Sequence, residues 1–291
     1  MFKKYKHQLI LHITVFIWGL TGILGDYIEL TSSKIVFYRT LIAFISLLFL
    51  SFFIKQSNKI SVKKIVQITL VGVIVGLHWF TFFYSIKVST ISIGVVCMSL
   101  TTLFVALIEP IIFKRKISTI EIVISIFILL GILIIFGFEF KYIEGILYGV
   151  FSALMAALFS VFNGKLIKTT SSFLITKYEM LGALLVSIGI VFFNKEMNSD
   201  LFLVSSTSMY MLLFLGLVCT TAAFMISVWV MKFLSPFTVS VSINMEPIYT
   251  IIIAVILAPE KEKMTYGFYV GGIVIIGTIF TNAYLKRKVK T

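Results

Sequence analysis

Several ionisable side chains of this chain stand inside long apolar runs, among them Arg39, His78, Glu109, Lys177, Glu179 and Glu246. An ionisable group at bilayer depth costs about 2.5–3.5 kcal/mol on translocon scales, so each needs a partner, water or a ligand. Glu246 lies mid-run, directly before Pro247 and two positions after Asn244. A proline there removes a main-chain hydrogen bond and breaks or kinks a helix. A carboxylate at such a mid-depth break suits a solute site, and burial makes it a candidate to carry a proton. Arg39 has the planar fork that matches a carboxylate. Its long stem would equally let it reach the outer interface or pair structurally. His78 is the side chain most easily poised to change charge near neutral pH; a neutral histidine hydrogen-bonded between helices fits as well. Trp79 could stack on an organic solute or, like Tyr84, fill the core.

Glu179 is a candidate of the same kind as Arg39, because a shift of 140 residues lays Tyr38-Arg39 on Tyr178-Glu179. The stem of Lys177 is long enough to reach the interface. Glu109 stands one turn from Lys114-Arg115-Lys116, where an interfacial ion pair is expected. Ser99, Thr101 and Thr102 either line a cavity or bond back to their own helix. The candidate binding set is therefore Trp18, Tyr38, Arg39, His78, Trp79, Thr102, Tyr178, Glu179, Asn244 and Glu246, with Glu246 and His78 as proton-coupling candidates.

The elements that must position these residues follow from composition. Of 291 residues, 59% are hydrophobic and 13% charged, against about 45–50% and about 25% in soluble domains. Ten apolar runs, near 8–26, 33–54, 64–86, 91–113, 119–138, 143–163, 172–194, 208–231, 238–258 and 265–285, are long enough to cross a bilayer as helices. The basic start, Met1 to Ile10, is followed by no signal-peptidase-like site and reads as a retained first helix. Seventeen of the 25 Lys and Arg residues occupy the chain ends and alternate gaps, from Lys3 through Lys55, Lys59, Lys63, Lys114, Lys165 and Lys232 to Lys290. Such a bias marks the cytoplasmic side, so both termini are expected inside. The net charge of +13 is thus expected to meet anionic lipid headgroups rather than nucleic acid. Cys97 and Cys219 lie within apolar runs and read as packing residues, not a disulfide.

Ten spans divide into two halves of five, 1–140 and 141–291. An odd number of spans per half means that a shared fold must be inverted across the membrane plane. A shift of 145 residues lays Lys87 on Lys232, Thr102 on Pro247 and Lys116 on Lys261. Glycine pairs four apart, Gly72/Gly76, Gly145/Gly149 and Gly267/Gly271, read as close helix-packing positions or as surfaces along which helices move.

Trp18-Gly19, Arg39, Leu77-His78-Trp79-Phe80, Tyr84-Ser85-Ile86-Lys87, Glu246-Pro247, Pro259-Glu260-Lys261 and the endings Gly131 to Gly137 and Gly271 to Gly277 occur in an order and spacing that resembles the EamA-type branch of the drug/metabolite transporter superfamily. The resemblance implies an all-α integral membrane protein with ten transmembrane helices in a 5+5 inverted repeat. It also implies export or exchange of small metabolites such as amino acids. The chain departs from that family's pattern at Lys114-Arg115-Lys116, where an acidic residue is often found, and at Thr102, which stands opposite Pro247.

The function expected is secondary transport of small organic solutes by alternating access across the cell membrane. Spans one to four and six to nine would bound the cavity, with spans five and ten as buttresses. A lipid or lipid-linked-sugar flippase on the same scaffold is the alternative. No G-x-x-x-x-G-K-[ST] loop or H-E-x-x-H motif occurs, so neither ATP hydrolysis nor zinc catalysis is expected and no cofactor is called for. The expected partners are a small-molecule substrate and membrane lipids, with the chain a monomer or dimer.

Overall fold

A computed structural model describes residues 2–54, 60–257, 260 and 264–288. Lys55, Lys59, Pro259, Lys261, Lys263 and Lys290 lie outside the described residues. All regular structure among those described is helical. The ten expected spans are present: α1 Phe2–Tyr27, α2 Ser32–Leu50, α3 Val62–Val88, α4 Ile91–Phe113, α5 Thr119–Phe138, α6 Ile143–Leu166, α7 Ser172–Phe193, α8 Ser206–Val230, α9 Pro236–Leu257 and α10 Tyr266–Lys288. Nine of these are long and apolar enough to cross a membrane within the described residues; in the tenth the apolar run is Tyr266–Thr278.

Six spans begin on a Ser or Thr whose hydroxyl accepts from a first-turn N–H: Thr31, Ser61, Thr90, Ser171, Ser205 and Ser235. These caps satisfy donors that the helix itself cannot. Large apolar side chains point outward along the spans, among them Ile111, Leu147 and Ile273, as lipid contact requires.

The packing repeats with the exchange of α1–α5 for α6–α10. Helix α3 packs on α6 and α7, and its counterpart α8 packs on α1 and α2. Helix α4 packs on α6 as α9 packs on α1, while α2 meets α7, α4 meets α9 and α5 meets α10 across the pseudo-axis. With five spans in each set, this is the inverted repeat.

Two glycines make the equivalence concrete. A Cβ on Gly72 of α3 would run into the main chain of Glu179, and one on Gly216 of α8 would come 3.4 Å from the Arg39 carbonyl while striking Ile42. The small-residue notch therefore seats α3 on Glu179 and α8 on Arg39. Gly131 and Gly271 do the same for α5 and α10, each facing the other's carbonyl.

Helices α4 and α9 are both interrupted, at Met98–Leu100 and at Asn244–Met245. These breaks coincide under the 145-residue shift, which lays Ser99 on Asn244. Pro247 is the second residue of the resumed half-helix, not a kink within it. There its missing N–H costs nothing, and Glu246 begins the new first turn. Helix α8 departs differently, with a π turn over Leu215–Ala222. Thr220 and Thr221 donate their hydroxyls to the carbonyls five residues back, Leu215 (2.7 Å) and Gly216 (2.9 Å).

Candidate functional site

Between the halves lies a cavity of about 760 Å³ including its open mouth. Five of the ten candidate residues line it: Trp18, Arg39, His78, Trp79 and Glu246. Asn163, Met231 and Val239 carry the lining to the ends of their helices on the side of the N-terminus. On the opposite side, contacts between the halves close over it. Thr250 Oγ1 donates to the Gly19 carbonyl (2.8 Å), Tyr84 to Glu144 (3.0 Å) and Ser33 to Glu196 (2.6 Å).

Arg39 is the most constrained member. It is almost wholly buried, and its Nε donates to Thr220 Oγ1 at 2.7 Å. The guanidinium carbon lies 3.9 Å from the Trp79 ring centroid, a desolvated cation–π contact of about 2 kcal/mol. Its Nη1 is buried without a hydrogen-bond partner. The π turn of α8 supplies Thr220, and the turn also leaves the Cys219 carbonyl to accept from Trp18 Nε1 at 3.0 Å. π turns recur at functional sites, and this one positions two cavity residues at once.

Glu246 is buried at the start of the second half-helix of α9. Among the described residues its carboxylate accepts no side-chain hydrogen bond. Both it and Arg39 line the cavity, and no ion pair joins them. A carboxylate in a helix's first turn also meets the positive end of the dipole. Thr101, its 145-shift counterpart, begins the second half-helix of α4 and lines the cavity too, with Oγ1 3.4 Å from the Ala153 carbonyl.

His78 is held by Ser152 of α6. Its Nδ1 lies 3.1 Å from the Ser152 carbonyl and 2.8 Å from Oγ, while that hydroxyl donates to the His78 carbonyl. Only a protonated Nδ1 can donate to a carbonyl, so this contact calls for the hydrogen on Nδ1. His78 is thus an interhelical tie as well as a cavity residue.

The other five candidates lie outside the lining. Tyr38 donates to the Leu201 carbonyl at 2.8 Å, fastening α2 to the α7–α8 loop. Thr102 accepts from Asn244 Nδ2 at 3.0 Å, joining α4 to α9 beside their breaks. Tyr178 is half-buried near Lys177, whose ammonium donates to Ser51 at 2.9 Å. Glu179 is fully buried and accepts from Asn163 Nδ2 at 3.3 Å. Among the described residues, spans α5 and α10 contribute no lining residue. Helix α7 contributes none either, which corrects the expectation that it bounds the cavity; Gly72 draws Glu179 against α3 instead. Glu109 does pair with Arg115 (3.3 Å), and its other oxygen accepts from the Phe237 N–H (2.8 Å) at the start of α9.

Sequence reasoning missed Asn163, Ser160, Thr220 and the aromatic wall of Phe82, Phe159 and Phe224. Asn163 had a signal, being the amide that ends the sixth apolar run. The phenylalanines had none in a chain with 29 of them.

No curated protein matches this chain. A solved structure described only as "Crystal structure of protein" superposes with a TM-score of 0.69, covering 94% of this chain and 95% of its own at 13% identity. It shares the fold. The model of the EamA-like transporter family matches residues 7–137 and again 143–284, one match over each set of five helices, and the chain is a member of that family of membrane transporters.

Proposed function

We propose that the protein moves small zwitterionic solutes, amino acids with an apolar or aromatic side chain, across the cell membrane by alternating access. The observation that carries this is the Arg39 Nη1 donor, buried and unpartnered beside a cavity that also presents Glu246. A solute carboxylate completes the guanidinium fork, and its ammonium turns to Glu246. Trp18, Trp79, Phe159 and Phe224 provide a wall for the apolar part. Both termini lie in the cytoplasm by the loop-charge bias, so the cavity faces inward and loads from the cytoplasm for export.

Competition binding with purified protein tests the reading. Phenylalanine and leucine should stabilise the protein against heat. Their decarboxylated and deaminated analogues, each lacking one charge, should not. Stabilisation by the amines alone would overturn the Arg39 assignment.

A further inference from the structure

The Glu179–Asn163 pair has two loose ends that match. Asn163 Nδ2 donates to Glu179 Oε2, while Glu179 Oε1 and Asn163 Oδ1 are both buried without a partner. An acid and an amide joined at one end can be joined at the other by a single hydrogen, on the acid oxygen, donated to the amide oxygen. An ionised Glu179 would leave both oxygens bare and a charge buried at 0% exposure, which costs several kcal/mol.

Among the described residues no cationic side chain pairs with it. Lys177, two positions earlier, is turned to Ser51. On α2, Arg39 is engaged by Thr220 and Trp79. On α3, His78 is tied to Ser152, and Gly72 meets the Glu179 main chain. On α6, Lys165 is exposed; on α8, Cys219 faces Ile17. Among the described residues only Asn163 gives the Glu179 side chain a hydrogen bond. Asn163, unlike Glu179, lines the cavity.

We propose that Glu179 and Asn163 form a proton-binding site: a carboxylic acid closed into a ring with an amide, set one side chain behind the solute cavity. When the proton leaves, the acid can no longer donate to the amide oxygen; Nδ2 stays on the carboxylate, and Asn163 Oδ1 is left to take a donor from the cavity. The proton is thereby linked to whatever occupies the cavity. This goes beyond the transport reading, and the pair can be tested with no solute present.

The experiment is pH-difference infrared spectroscopy on the full-length protein in lipid, paired with thermal unfolding over the same pH range. Wild type should show a protonated-carboxyl C=O band that disappears as pH rises, with the melting temperature falling through the same interval. The sign follows because the folded state binds this proton more tightly than the unfolded one. Glu179→Gln, whose amide can close the same ring with Asn163, should fold, lose that band and lose the fall in melting temperature over the band's pH interval. Asn163→Leu should move the band, and Glu246→Gln should keep it. A band that survives Glu179→Gln, or melting that titrates alike in wild type and Glu179→Gln, overturns the proposal. So does stabilisation of wild type by sodium but not choline chloride that Glu179→Gln abolishes, since the site would then hold a metal ion.

Discussion

The central carbon of the Arg39 guanidinium lies over Trp79, 3.9 Å from the ring centroid. The indole thus replaces part of the hydration that a cation loses on burial, while Thr220 takes Nε. Lysine has neither the plane to stack nor the fork to share between Thr220 and a carboxylate. Arg39→Lys should therefore weaken phenylalanine binding at least tenfold, and Trp79→Leu should lower thermal stability by about 2 kcal/mol. Unchanged affinity in Arg39→Lys, measured by thermal-shift titration, would remove Arg39 from the site.

Glu246 should matter through its charge. Glu246→Gln keeps the shape and loses the attraction for an ammonium. It should reduce transport of phenylalanine in proteoliposomes about tenfold or more, a charged hydrogen bond contributing about 1.5–3 kcal/mol. Wild-type rates in that variant would sink the assignment.

The α3–α7 crossing tolerates no side chain at Gly72, where a Cβ meets main chain rather than a movable side-chain tip. Gly72→Ala should cost about 1–3 kcal/mol through overpacking, seen as a lowered melting temperature in detergent. Gly189, whose Cβ would meet nothing within 4 Å, is the control and should accept alanine with little change.

Orientation can be read by labelling. Cys97 and Cys219 are buried, so an impermeant maleimide applied to intact cells should find little background. Ser199→Cys, exposed in the α7–α8 loop, should label from outside, and Thr169→Cys, exposed in the α6–α7 loop, only after permeabilisation. The reverse pattern would place the cavity mouth on the external face.

Hydropathy was enough to locate the ten helices, because crossing lipid leaves little freedom in span length and composition. The break in α9 was legible from Glu246-Pro247, whereas its partner at Met98–Leu100 carries no proline and showed only in the fold. Five of the ten candidate residues line the cavity because mid-span charge is costly enough to be diagnostic for Arg39 and Glu246. Tyr38, Thr102 and Asn244 were harder to place, since a polar group that ties two helices has the same sequence signature as one that faces a solute. Thr220 was invisible for another reason: its role depends on a π turn, whose hydrogen bonding has no short sequence pattern.

The paired notches of Gly72 over Glu179 and Gly216 over Arg39 set an acid and a guanidinium at one address in the two repeats. In the conformation described, the basic copy stands at the cavity and the acidic copy is tucked away. If the repeats exchange conformations, as alternating access requires, the roles swap: Arg39 withdraws and Glu179 comes forward. A passenger would then meet a guanidinium at that address in one conformation and an acid–amide pair in the other. The asymmetry between two otherwise equivalent seats makes departure unlike arrival.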